Sequence, residues 1–189
     1  MGTAGSIIAI LLYSYYLVRV LRLETKPHPY SWLVWSLVAG ISGFGQLDGG
    51  AGAGAWVTLS SSFMCFLIFL ASLKYGEKKI HHFDTICLVF SLLAIPLWIF
   101  TKTPIYSVIL VTIVDTVGFI PTIRKSYYKP FEEAVLTYLG SSIKNGLGIL
   151  ALEKYSLLTL CYPVVLLITC TLFSILILVR RNALRRDNL

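Results

Sequence analysis

EAVLTYLGSSIKNGLGILAL, residues 133–152, is the stretch on which the fold turns. It is long enough to cross a bilayer, whose hydrocarbon core of about 30 Å takes roughly 20 helical residues. Its centre, however, carries Ser141, Ser142, Lys144 and Asn145. A lysine at that depth costs about 2.5–3.5 kcal/mol even on mild insertion scales. If the segment crosses, everything after it emerges on the opposite side from where it would otherwise lie.

Six other apolar segments flank it, at about 4–21, 30–47, 55–73, 83–100, 104–123 and 156–179. Loop charges decide the seventh. With 133–152 counted as a span, 13 of the 16 basic residues fall on one face, among them Arg19, Arg22, Lys74, Lys129 and the Arg180, Arg181, Arg185, Arg186 tail. That face then carries the entire formal charge of +7, and the other balances to zero. Leaving the segment out sends the arginine-rich tail to the far side and destroys the pattern. Seven spans are therefore expected, with the basic face cytoplasmic and the N-terminus outside. The first segment reads as a retained helix rather than a signal peptide, because nothing basic precedes its apolar run and no small-residue cleavage site follows.

Composition agrees. Hydrophobic residues make up 57% of the 189-residue chain and charged ones 13%, against about a quarter charged in soluble domains. This excludes a disordered chain, a nucleic-acid module and an ordinary cytosolic enzyme. The four cysteines (Cys65, Cys87, Cys161, Cys170) lie in apolar runs without metal-like spacing, so neither a disulfide framework nor a metal site is indicated. No cofactor is implied. There is no His/Glu cluster, no acid pair and no nucleophile beside a base, so an enzyme is not expected. Span seven lacks the lysine that a retinal protein would need.

The chain also repeats itself. A shift of 103 residues lays Lys26-Pro27 on Lys129-Pro130, Arg22 on Lys125, Trp35 on Tyr138 and Gly43 on Gly146. Spans one to three then match spans five to seven, and a lone linker helix lets two odd-numbered units point the same way. The organisation predicted is a first three-helix repeat over 1–79, a linker over 80–102, a second repeat over 103–181 and a basic tail over 182–189: an all-α membrane protein of 3+1+3 design.

This plan, together with the run Gly118-Phe119-Ile120-Pro121-Thr122-Ile123-Arg124-Lys125-Ser126-Tyr127-Tyr128, resembles the PQ-loop and SWEET-type transporter superfamily. The run looks like that family's fifth-helix motif, a proline-glutamine pair followed by a basic, aromatic loop. Thr122 stands where the family has glutamine, and the first repeat has Leu17-Val18-Arg19 with no proline. Lys26-Pro27-His28-Pro29-Tyr30-Ser31-Trp32-Leu33-Val34-Trp35 resembles a group of uncharacterised prokaryotic membrane proteins of this size. The resemblance implies a prokaryotic plasma membrane, alternating access, and a hinge role for Pro121 and for Pro163 in span seven.

Candidate site residues follow from cost. Asp115 in span five and Lys144 in span six are ionisable groups at comparable depth, and such groups mark function unless they pair as a strut. Consecutive spans with a short loop are expected to be neighbours, which would bring the two together. Ser141 and Asn145 share a helical face beside Lys144, available to solute hydroxyls or to helix packing. Tyr30, Trp32 and Trp35 sit at the start of span two, where an interfacial belt explains them, and Trp35 reaches deep enough to serve as a pocket wall. Gly40, Gly43 and Gly45, with Ser60, Ser61 and Ser62, read mainly as close helix packing.

These features predict a transporter of a small polar solute, with Asp115, Lys144, Asn145, Ser141 and Trp35 at its site. A non-transporting scaffold, assembly or regulatory protein is the alternative. Anionic lipid headgroups are expected at the cytoplasmic face, no nucleic acid is, and a homo-oligomer is compatible.

Overall fold

The computed structural model describes residues 2–78 and 104–186, with isolated positions 82, 85, 86, 89, 93, 96 and 100 between them. Described residues form helices and connecting turns, with no strand among them. Helix α1 spans Gly2–Leu21, α2 Pro29–Asp48, α3 Ala55–Tyr75, α4 Pro104–Tyr128, α5 Val135–Leu150 and α6 Leu157–Arg186. They coincide with six of the seven expected spans, and the linker expected at 83–100 lies outside the described residues.

Local chemistry places the helix ends. Pro29 occupies the first turn of α2, where its missing N–H costs nothing and its fixed φ suits a helix. The tight link from α2 to α3 bends at Gly50 (φ 79°) and Gly52 (φ 57°), a left-handed conformation open to glycine at little cost. The α4–α5 link contains a short 3-10 turn, Pro130–Glu132.

Polarity runs opposite to that of a water-soluble bundle. Large side chains such as Leu11, Phe63 and Leu172 are more than 60% exposed, while Gln46, Asp115 and Lys144 are at most 2% exposed. Continuous apolar exteriors of this extent mark a membrane or partner surface. Among the described residues four helices are long and apolar enough to cross a membrane: Gly2–Leu21, Gly52–Tyr75, Ile105–Tyr128 and Leu157–Arg185. Helix α2 is diluted by serine, glycine and Gln46. At 16 residues, α5 rises only about 24 Å, less than the ~30 Å hydrocarbon core. The polar segment that decided the topology is thus the shortest helix, and its polar face is turned inward.

Helix order in space differs from order in sequence. Helix α3 lies between α1 and α2, and α6 lies between α4 and α5. Across the middle, α1 packs on α5 and α2 on α4, with smaller contacts of α3 with α5 and of α2 with α6. The expectation that spans five and six are neighbours is therefore corrected, because α4 and α5 share no extensive contact and the long apolar α6 is inserted between them.

Close approach between helices rests on small residues. Ser36 Oγ donates to the Ser62 carbonyl at 3.1 Å and Ser62 Oγ to the Ser36 carbonyl at 2.7 Å, a reciprocal tie between α2 and α3. A Cβ on Gly43 would come within 2.7 Å of Leu59, and one on Gly45 within 2.8 Å of Val108. These residues are packing elements, as helix seams in lipid require.

Candidate functional site

All six described helices line one central cavity. The space open to a water's centre is about 40 Å3, enough for about three waters at 10–15 Å3 each. Asp115 and Thr137 enter from α4 and α5, and Lys144, Ser141 and Asn145 follow Thr137 along α5. Trp35 comes from α2, Tyr13 from α1, Cys65 from α3, and Tyr162 and Cys170 from α6. The five residues singled out in the sequence for solute binding or coupling thus share one cavity. Helix α4 continues through position 121, and Pro163 lies inside α6.

Asp115 and Lys144 face this cavity without pairing. Arg19 pairs with Glu24 at 3.1 Å and Lys129 with Glu132 at 3.5 Å, whereas among the described residues no carboxylate stands within 4.0 Å of Lys144. Among the described residues Lys144 also has no hydrogen bond; its Nζ lies over the face of Tyr13, 5.6 Å from the ring centroid. Asp115 receives one long hydrogen bond, from the Tyr162 hydroxyl at 3.4 Å. Two further cavity groups are buried without partners, the indole N–H of Trp35 and the hydroxyl of Thr137. Orphaned buried polar atoms cost about 1–3 kcal/mol each, and charged ones more.

Neighbouring polar residues divide by role. Asn145 spends its amide on the Ser141 carbonyl, 2.8 Å away and one turn back. Ser142 turns aside instead, accepting from the Thr171 hydroxyl at 3.0 Å and so tying α5 to α6. Of Ser60, Ser61 and Ser62 on α3, only Ser61 lines the cavity.

An aromatic plug closes the cavity towards the end that carries the basic loops. Trp32 lies 4.7 Å from Tyr16 and 5.2 Å from Trp35 between ring centroids, Trp35 lies 5.0 Å from Phe119, and Tyr138 lies 4.5 Å from Phe173. Such offset and edge-to-face contacts add about 0.5–1.5 kcal/mol apiece. Here the interfacial-belt reading of Trp32 is corrected, and Trp35 lies in the cavity wall instead of the belt. They are 3% and 8% exposed because the inner face of α2, not its lipid face, carries them. Trp56, in the first turn of α3 and 59% exposed, has the position of a belt residue.

Outside the plug, α6 clasps the α4–α5 link. Arg181 donates to the carbonyls of Pro130 at 3.0 Å and Glu133 at 2.7 Å. Arg180 donates to the Tyr127 carbonyl at 3.0 Å and stacks 3.9 Å from that ring's centroid. Buried Glu133 accepts from the Tyr138 hydroxyl at 3.3 Å, which joins the clasp to a ring of the cavity wall.

Tyr13, Tyr162, Thr137, Tyr138, Cys65 and Cys170 were not singled out by sequence as site residues. Tyr138 carried a usable signal, since it answers to Trp35 in the repeat. The others are ordinary residues in apolar runs. No family model matches the chain, and no curated protein or solved structure matches it significantly.

Proposed function

We propose that this chain is an integral membrane transporter that moves a small polar solute by alternating access between two three-helix repeats, residues 1–79 and 103–181, joined by the segment between them. The observation that carries this reading is the central cavity, where Asp115 and Lys144 are buried, unpaired and open to the same space. A static core gains nothing from two uncompensated charges, whereas a solute site needs polar groups left free for the solute.

Two regularities support the repeat. Exchanging α1 with α4, α2 with α5 and α3 with α6 carries every major helix contact onto another. The shift of 103 residues also pairs buried with buried along α2 and α5: Trp35 with Tyr138, Val38 with Ser141, Ile41 with Lys144, Ser42 with Asn145. Their shape is common and their chemistry is not, since the second repeat replaces the valine and isoleucine of the first with serine and lysine.

Each repeat also fastens its third helix to the equivalent proline carbonyl. In the first, the backbone N–H of Glu77 donates to Pro27 at 2.9 Å; in the second, the Arg181 side chain donates to Pro130. Arg181 is free to let go by a rotamer change, and we take its clasp, with the aromatic plug, as a closed gate on the cytoplasmic side. By the positive-inside argument the N-terminus is outside and the arginine-rich end cytoplasmic.

Uptake into proteoliposomes tests the reading, with a panel of radiolabelled amino acids, organic acids, sugars and vitamins. Saturable uptake of at least one solute above protein-free liposomes, lost in Asp115→Asn, is expected. A folded protein that moves none of them would favour the scaffold alternative.

A further inference from the structure

The cavity holds one formal charge of each sign. Lys144 brings an ammonium that has no hydrogen bond and no carboxylate within 4.0 Å among the described residues, and the cavity wall also holds two donors without partners, the Trp35 indole N–H and the Thr137 hydroxyl. At Asp115 the unspent group is an acceptor, because Tyr162 satisfies one carboxylate oxygen only weakly and the other has no hydrogen bond among the described residues. These two ends do not neutralise each other directly.

We propose that the cavity is a binding site for a small zwitterion, an α-amino acid of glycine or alanine size, with its carboxylate on Lys144 and its ammonium on Asp115. This deepens the transporter reading and rests on it only for movement across the membrane, not for binding.

Three considerations select this class. First, a zwitterion pairs both site charges and adds no net charge to a low-dielectric interior. A simple carboxylate or a simple amine leaves one site charge uncompensated, and an uncompensated buried charge is strongly unfavourable. Second, a neutral polyol supplies hydroxyls where charge-assisted bonds, about twice as strong, are on offer. Third, space for about three waters suits a solute of a few heavy atoms. A hexose would require the helices to part. The apolar remainder of the wall, chiefly Trp32 and Phe119, suits a hydrogen or methyl side chain.

Thermal unfolding and isothermal titration of the purified full chain in detergent, with glycine, L-alanine, acetate, propionate, methylamine, ethylamine and glucose, test the assignment. Glycine and alanine should raise Tm and bind at least tenfold more tightly than any single-charge analogue or glucose. Asp115→Asn should weaken alanine at least tenfold and bring propionate level with it. Lys144→Met should do the same with ethylamine in place of propionate. A merely structural role for either residue would weaken all ligands together and move no preference, so such a uniform loss overturns the assignment, as does an unchanged Tm with glycine and alanine. Alanine binding without uptake into proteoliposomes would leave the assignment standing and remove the transport reading. Uptake of a neutral solute, unaffected by alanine, would do the reverse.

Discussion

Lys144 is 2% exposed, has no anion within 4.0 Å among the described residues and stacks loosely on Tyr13. A lysine placed for stability would not be left so. Lys144→Met keeps the aliphatic stem and removes the charge, so it should stabilise the folded chain, on the order of 1–4 kcal/mol, while weakening alanine binding at least tenfold. Chemical unfolding in detergent measures the sign, and a loss of stability would make Lys144 a strut. Glycines offer a paired check. A Cβ on Gly76 would run into the carbonyls of Pro27 and Ser72, whereas one on Gly146 meets nothing within 4 Å. Gly76→Ala should cost about 1–3 kcal/mol by overpacking, and Gly146→Ala should gain up to about 1 kcal/mol from helix propensity. Both appear as shifts in Tm. At this scale the sequence was readable wherever a residue contradicted its surroundings, as Asp115 and Lys144 do inside apolar runs. Tyr162 and Thr137 contradict nothing, and only the three-dimensional arrangement reveals their role. Trp32 misled because a tryptophan near a helix start looks the same in sequence whichever face carries it.

Six helices fell where hydropathy and loop charge put them, because span length is set by the bilayer and helix starts by residues such as Pro29. Which helix touches which was not legible. Chain order suggested α4 beside α5, but burial of the long apolar α6 is better served from between them, and no local signal records that choice. The repeat contained the answer indirectly, since both halves interleave in the same way. The Arg181 clasp belongs to this level too. Its two bonds to carbonyls come from a charged donor, worth about 1.5–3 kcal/mol each. Arg181→Gln should therefore favour opening at the basic end by roughly tenfold or more, each tenfold being about 1.4 kcal/mol. Labelling of the cavity thiols Cys65 and Cys170 from that side should accelerate accordingly, in a background with Cys87 and Cys161 replaced by serine. An unchanged rate would mean that the clasp is not a gate.

For the whole molecule, the charge asymmetry makes a topological prediction. A reporter that fluoresces only in the cytoplasm should be bright when fused after residue 189, and one active only outside should work when fused ahead of residue 1. The reverse pattern would invert the gate assigned to Arg181. At this scale the apolar exterior and buried charge were foreseeable from composition and span count, whereas the size of the cavity was not, because volume depends on how six inner faces meet.

The central claim is that one site, between the two repeats, is reached alternately from either side. Its most direct test is the reaction of Cys65 and Cys170 with a membrane-impermeant thiol reagent, applied to the outside of right-side-out and of inside-out vesicles carrying the Cys87→Ser, Cys161→Ser background. The account predicts labelling from both sides, slowed from both by saturating alanine. Labelling from one side only, or from neither in protein that labels fully once unfolded, would contradict it.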